Sequence, residues 1–265
     1  LDPVGALVSI EDPGSVLRMR IDNVDGGART GSVLTARGSF LTPCFMPVGT
    51  RAAVRTLTSA DLERLGAEVI LGNTFHLMLK PGADLVERFD GIHGFADWHG
   101  HVLTDSGGFQ IFSLEPKVDD EGATFRSTYD GSSHHLSPEG SVAIQQKLGS
   151  DIQMVLDVCP PLPSPESVVR SALERSVLWA GRAKAAQAPA RSAGSTQAQF
   201  GIVQGGIDVA MRDESARRTV EIGFDGYGIG GLSVGETRAE MLPALAAAIA
   251  VLPVDRPRYL MGCLL

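Results

Sequence analysis

Short apolar runs that end in glycine or a polar residue recur along the chain. They are CFMPVGT from Cys44, EVILGNT from Glu68, HVLTDSGG from His101, DIQMVLDVC from Asp151, FGIVQGG from Phe200, GYGIGGLSVGE from Gly226 and RYLMG from Arg258. Runs that are apolar at nearly every position mark strands buried on both faces of a parallel sheet. Helical patterns lie between them. TSADLERLGA offers Thr58 or Ser59 as its cap, and SPEGSVAIQQKLGS opens with Ser137 and Pro138, a cap followed by proline at the first helical position. SPESVVRSALERSVLWAGRAKAA repeats that device at Ser164 and Pro165, and its Val168, Val169, Ala172, Val177 and Leu178 track one helical face. AMRDESARRTVEIGF and EMLPALAAAIAVL follow later strands. Strand then helix, repeated, predicts a parallel α/β fold. Seven strands predict a TIM (β/α)8-type barrel that is incomplete, its last strand–helix unit absent. A doubly wound open sheet is the alternative, though no GxGxxG follows the first strand, which weighs against its nucleotide-binding version.

Two segments interrupt the alternation. EPKVDDEGATFRSTYDGSSHHL, from Glu115, alternates around Phe125 and Tyr129 and carries an Asp130-Gly131 turn, so it predicts a hairpin. AAQAPARSAGSTQAQ, from Ala185, is rich in Ala, Ser and Gln and reads as a mobile loop. Residues 1–17 read as a poorly ordered leader, and residues 18–265 as one partial barrel domain.

Composition narrows the function. No apolar run reaches membrane-spanning length, so no membrane partner is expected. Three separated cysteines, Cys44, Cys159 and Cys263, suit reduced cytoplasmic thiols better than a disulfide framework. His99 and His101 have no Cys or acidic neighbour at ligand spacing, so they read as a solvated loop rather than a metal site. The formal charge of −8 argues against a general nucleic-acid binder. Arginine nevertheless outnumbers lysine by 19 to 4, a balance that favours forked contacts to phosphate.

In a barrel, functional groups gather at the C-terminal ends of the strands. Here those ends carry Asn73, Asp105, Asp157, Gln204 and the Gly230-Gly231 pair. Ser106, Gly107 and Gly108 let the chain turn sharply after Asp105 and approach a ligand closely. Two carboxylates accept from ring N–H and amino groups, while Gln204 and glycine N–H groups donate to a carbonyl. Phe109 and Met261 offer flat or soft apolar surfaces. The set suits a nucleobase such as guanine. Each residue also has a plainer reading: Asp105 and Asp157 as helix caps, Gln204-Gly205-Gly206 as a turn, Phe109 and Met261 as core.

TDSGGFQIFSL, TPCFMPVGT, LGNTFHLMLKPG, DGSSHHLSPE, IVQGG, IGFDGYGIGGLSVGE and RPRYLMG together resemble, in order and spacing, the tRNA-guanine transglycosylases, the queuine tRNA-ribosyltransferase family. The resemblance runs from about Met19 to Gly262. It implies a TIM-barrel enzyme that exchanges guanine at the tRNA wobble position for a 7-deazaguanine, through a covalent ribosyl-enzyme intermediate, in queuosine modification. By that resemblance Asp105 is the general acid/base, and Ser106, Gly107, Gly108 and Phe109 form one wall. Asp157 takes the ring N–H and amino edge, while Gln204 and the Gly231 amide take the carbonyl. The Leu232 carbonyl faces the 7-substituent with Glu236 nearby, Met261 closes the other face, and Asn73 touches the ribose. Cys159 and Val234 are similar to the bacterial form, which favours preQ1. The implied partners are the tRNA anticodon loop, the guanine or preQ1 base and, in the full-length form, a second copy of the chain. The resemblance also shows departures. Val158 stands where the family has Glu, and Cys263-Leu264-Leu265 departs from the expected continuation. The family's nucleophilic Asp, structural zinc site and basic tRNA-contacting segment belong beyond Leu265. The chain therefore reads as a C-terminally truncated form, inactive or nearly so by itself, with no cofactor of its own. A non-catalytic accessory subunit of the same family and an unrelated barrel enzyme are the rivals.

Overall fold

The computed structural model describes residues 15–262. Residues 1–14 of the proposed leader lie outside that range, as do Cys263, Leu264 and Leu265. The chain opens with three antiparallel strands, β1 (Arg18–Asp25), β2 (Ala28–Thr35) and β3 (Gly38–Thr42). A seven-stranded parallel sheet follows, made of β4 (Val48–Gly49), β5 (Val69–Gly72), β6 (His101–Thr104), β10 (Ile152–Met154), β11 (Ala198–Val203), β12 (Gly226–Ile229) and β13 (Arg258–Leu260). All seven apolar runs singled out in the sequence supply one of these strands. Every residue of β5, β6, β10, β11 and β12 is buried, as expected of strands covered on both faces.

Strand order decides between barrel and open sheet. Spatial order is β13-β12-β11-β10-β6-β5-β4, so each new strand is laid beside its predecessor in one direction. A doubly wound sheet reverses direction at a switch point, and this one does not. The sheet is an incomplete TIM-type barrel, with helices on its outer side. These are α1 (Ser59–Arg64), the short α2 (Thr74–Leu79), α3 (Ala83–Glu87) and α4 (Gly91–Ala96), then α5 (Gly108–Phe112), α6 (Pro138–Leu148), α7 (Glu166–Ser192), α8 (Val209–Ile222) and α9 (Arg238–Val251).

Capping explains several starts. Thr58 closes a capping box with Asp61 on α1, and Ser137 accepts the Gly140 amide with Pro138 in the first turn of α6. Ser164 departs from its expected role. Its hydroxyl donates to the Pro161 carbonyl at 2.6 Å, and α7 starts after Pro165 without a side-chain cap. The stretch from Ala185, read as a mobile loop, is instead helical as far as Ser192, with Gln187 buried and Ala186 packed against the core. Alanine is the strongest helix former, and the buried face beneath it fixes the last turns of α7.

The antiparallel insertion is present as β7 (Lys117–Val118), β8 (Ala123–Arg126) and β9 (Ser133–Leu136), the predicted hairpin with one further short strand. The β1–β3 sheet has no counterpart in the sequence reading. Its Met19, Val33 and Phe40 join Val69, Ile152 and Ala198, the first residues of β5, β10 and β11, in one buried cluster. Arg37 reaches Asp151 at 3.0 Å and Glu68 accepts the Leu41 amide at 2.6 Å. The small sheet therefore closes the N-terminal mouth and leaves the C-terminal mouth for chemistry.

Candidate functional site

At the C-terminal mouth the strand-end residues form two hydrogen-bonded groups, around Asp105 and around Asp157, joined through the Asp105-Ser106 peptide. Asn73, just past β5, donates its amide to Asp105 Oδ2, just past β6. Asp105 Oδ1 accepts the amides of Thr74 at 2.8 Å and Gly107 at 3.1 Å, and Gln110 Nε2 approaches Oδ2 at 3.4 Å. Asp105 does not cap α5, whose N-cap is Gly107; it holds the first amide of α2 from the neighbouring strand instead. Ser106 Oγ donates to Asp157 Oδ1 at 3.5 Å and accepts the Gly108 amide at 3.2 Å. Gln204 Nε2 donates to Asp157 Oδ2 at 2.6 Å, which leaves its second N–H for another acceptor. Asp157 lies before a long loop and caps no helix.

The glycines are there because nothing larger fits. A Cβ on Gly230 would lie 2.8 Å from Ile202 Cγ2 and 3.0 Å from Gln204 Nε2. Gly231 has φ +61°, and a side chain there would run into Gln204 Oε1. On Gly108 a Cβ would meet the Asp157 carbonyl at 3.0 Å.

Electrostatics follows from burial. Asp157 is 6% exposed, and desolvation pushes its pKa up to about 6; the Asp105 charge adds to this, while the Gln204 and Ser106 hydrogen bonds oppose it. Desolvation also raises Asp105, against donors from Asn73, Thr74, Gly107 and Gln110. The Cys159 thiol is pushed up to about 12 by burial and then by the Asp157 charge. Tyr259, on β13, is raised to about 12 by burial and by Asp105. The mouth thus holds two carboxylates coupled to each other, both biased towards accepting a proton.

The remaining candidates are arranged around this centre. Phe109 is 62% exposed on α5 and so is not core. Met261 is partly buried, its sulfur 3.0 Å from where a Gly228 Cβ would sit. Leu232 is buried in the main core, and Glu236 accepts the Ser233 and Val234 amides, tying off the loop after β12. Thr74, Gln110, Tyr259 and Arg212 also shape the site and were not picked out from the sequence. Gln110 lies inside TDSGGFQ, five residues after Asp105, and that spacing was a usable signal. Arg212 sits among other charges in α8, where nothing distinguishes it from a solvated arginine.

His99 is exposed beside Glu63, as a solvated residue would be. His101 is not: it is buried at the start of β6, where its apolar neighbours carry it into the sheet. Among the described residues no group of three or more His, Cys, Asp or Glu could hold a metal ion. No described helix is long and apolar enough to cross a membrane.

A parallel barrel whose strand ends gather paired carboxylates, a carboxamide and bare glycine amides belongs to the class of TIM-type barrels with a polar site at the C-terminal mouth. Comparison narrows the class. Residues 24–265 match the family model described as queuine tRNA-ribosyltransferase. The queuine tRNA-ribosyltransferase of Desulforudis audaxviator is 53% identical over 237 residues, covering 89% of this chain and 63% of that protein. Those of Solidesulfovibrio magneticus and Cereibacter sphaeroides are 51% and 50% identical over 240 residues, covering 90% of this chain and 64% and 63% of theirs. The chain belongs to the queuine tRNA-ribosyltransferase family, and it spans about 63% of the length of these curated relatives.

Proposed function

We propose that these residues form the base-binding part of a tRNA-guanine transglycosylase, a pentosyltransferase that replaces guanine at the anticodon wobble position with a 7-deazaguanine of the preQ1 type. One observation carries this reading: Gln204 Nε2 lies 2.6 Å from Asp157 Oδ2, which sets a donor beside an acceptor in a buried, glycine-walled mouth. Guanine presents the complementary edge, a carbonyl acceptor next to N–H and amino donors. Asp157 takes the donors, and Gln204 and the Gly231 amide take the carbonyl. Ser106, Gly107, Gly108 and Phe109 line one face, with Met261 on the other. Leu232 and Cys159 border the 7-position, and Asn73 the ribose.

A base in a folded anticodon loop must leave the stack before its glycosidic bond is reachable, and a flat polar pocket rewards that extrusion. When the bond from C1′ to N9 breaks, its electron pair stays on N9 and the ribose carbon becomes cation-like. A carboxylate captures that carbon covalently, and the incoming base then attacks it as N9 loses its proton. Asp105, biased by burial towards holding a proton, supplies and later removes that proton at the base. In this reading the capture falls to a carboxylate that, in the family, follows the segment matched by RYLMG rather than to Asp105 or Asp157. We therefore expect the polypeptide of residues 1–265, taken alone, to bind guanine with little or no turnover. Homodimer formation belongs to the full-length form in this reading. Incorporation of labelled guanine into tRNA tests the division of roles, since robust exchange by residues 1–265 alone would refute it. Absence of guanine binding in calorimetry would refute the base site itself.

A further inference from the structure

Arg212 is fully buried, yet among the described residues no carboxylate lies within ion-pair distance of it. Its guanidinium instead donates to four backbone carbonyls. Nε reaches Gly206 O at 2.6 Å; Nη1 reaches Val203 O at 3.1 Å and Gly230 O at 2.6 Å; Nη2 reaches Gly231 O at 2.8 Å. Burial disfavours the cation, the Glu236 charge offsets this only from beyond contact distance, and an apolar side chain would fill the same space without the desolvation cost. The four carbonyls come from the two chain segments that present the proposed carbonyl-binding donors: Val203, the last residue of β11, and Gly206 flank Gln204, and Gly230 and Gly231, just past β12, surround the Gly231 amide.

Peptide planarity gives this contact a direction. In a trans peptide the C=O of one residue and the N–H of the next point opposite ways. Drawing the Gly230 carbonyl onto Arg212 turns the Gly231 N–H away from it, towards the side where Cys159 lies. We infer that Arg212 is a positioning residue that aims the Gly231 amide and fixes the Gln204 loop, so that it governs recognition of a base's carbonyl oxygen and leaves its N–H edge to Asp157. Arg212 also places a positive charge behind that edge. As the base departs, negative charge spreads onto its carbonyl oxygen, and a fixed cation beyond the donors stabilises it without reorganising. The inference rests on the base-binding reading given above.

The test compares guanine with 6-thioguanine, which keeps the N1–H and amino group but replaces the carbonyl oxygen with a weaker acceptor. Calorimetry on residues 1–265 gives both affinities for the parent chain, Arg212→Met and Arg212→Lys. Arg212→Met is expected to lose about tenfold in guanine affinity and at most about threefold for 6-thioguanine, the range of one neutral hydrogen bond. Discrimination between the two bases therefore shrinks. Equal losses for both bases, or none, would overturn the inference, because a purely structural role weakens the whole pocket. If Arg212→Met does not melt cooperatively, Arg212→Lys carries the test. It keeps the charge but only three donors, so guanine must again lose more than 6-thioguanine; an equal loss overturns the proposal. A parent chain that fails to bind guanine sinks the base-site reading first, an outcome separate from any effect of Arg212.

Discussion

Asp157→Asn is expected to stabilise the protein while abolishing base binding. Burial raises the Asp157 pKa from 3.8 to about 6, so ionising it in the folded protein is unfavourable. At 1.36 kcal/mol per pKa unit, that displacement amounts to roughly 3 kcal/mol at neutral pH. Asparagine removes this cost. The pKa of about 6 already reflects the Gln204 and Ser106 hydrogen bonds, which hold the carboxylate below the value burial alone would give, and those bonds are lost with the charge. Gln204 can compensate by turning its amide, because Gln204 Oε1 is buried without a partner and would accept from the new Nδ2. The gain is about 3 kcal/mol, which raises Tm by about 6 °C for a chain of this size. The gain depends on pH. The folded protein holds the Asp157 proton more tightly than the unfolded chain, so the parent loses stability as pH rises from about 4 to about 6, and the variant does not. The difference is absent below pH 4 and complete above pH 7. Thermal melts of both proteins from pH 4 to pH 8 measure it, with guanine calorimetry alongside. A variant that is destabilised at pH 7.5, or whose advantage does not change with pH, refutes the reasoning. So does unaltered guanine affinity.

Two further outcomes are expected. Trp179, fully buried, packs with Phe75, Phe125 and Leu156 and donates to the Asp120 carbonyl at 2.9 Å, so Trp179→Ala should cost about 3–5 kcal/mol in urea denaturation. A loss below about 1 kcal/mol would mean that the insertion is not anchored on α7 as described. With its thiol pushed up to about 12, Cys159 should stay unmodified at pH 8 while the more exposed Cys44 is alkylated, as read by peptide mass spectrometry; faster reaction at Cys159 would contradict its buried setting.

Much of the fold was legible because its strands are buried on both faces. Such strands must be apolar throughout, and each must stop at a polar or glycine residue where it emerges, so HVLTDSGG and FGIVQGG announce both their course and their end. Ser137-Pro138 and Thr58 were legible for the same local reason, since a helix start must satisfy its own amides nearby. Ser164 carried the same signal and bonds elsewhere, because a neighbouring carbonyl, Pro161, competes for its hydroxyl. The Ala-rich stretch after Ala185 was misread because low complexity and strong helix propensity look alike until a buried face is known.

The sequence by itself determined the alternation of the seven barrel strands with their longer helices, the polar identity of each strand end and the glycines that let the chain turn there. These are local demands, met within a few residues. Only the tertiary structure decided that the β1–β3 sheet closes the opposite mouth, that Gln204 pairs with Asp157 across 47 positions, and that Arg212 binds the carbonyls of two loops. It also decided that desolvation, rather than residue type, sets the proton affinity of the paired carboxylates. A side chain's partners and its distance from water depend on which distant segments pack against it, and no local pattern along the chain encodes that.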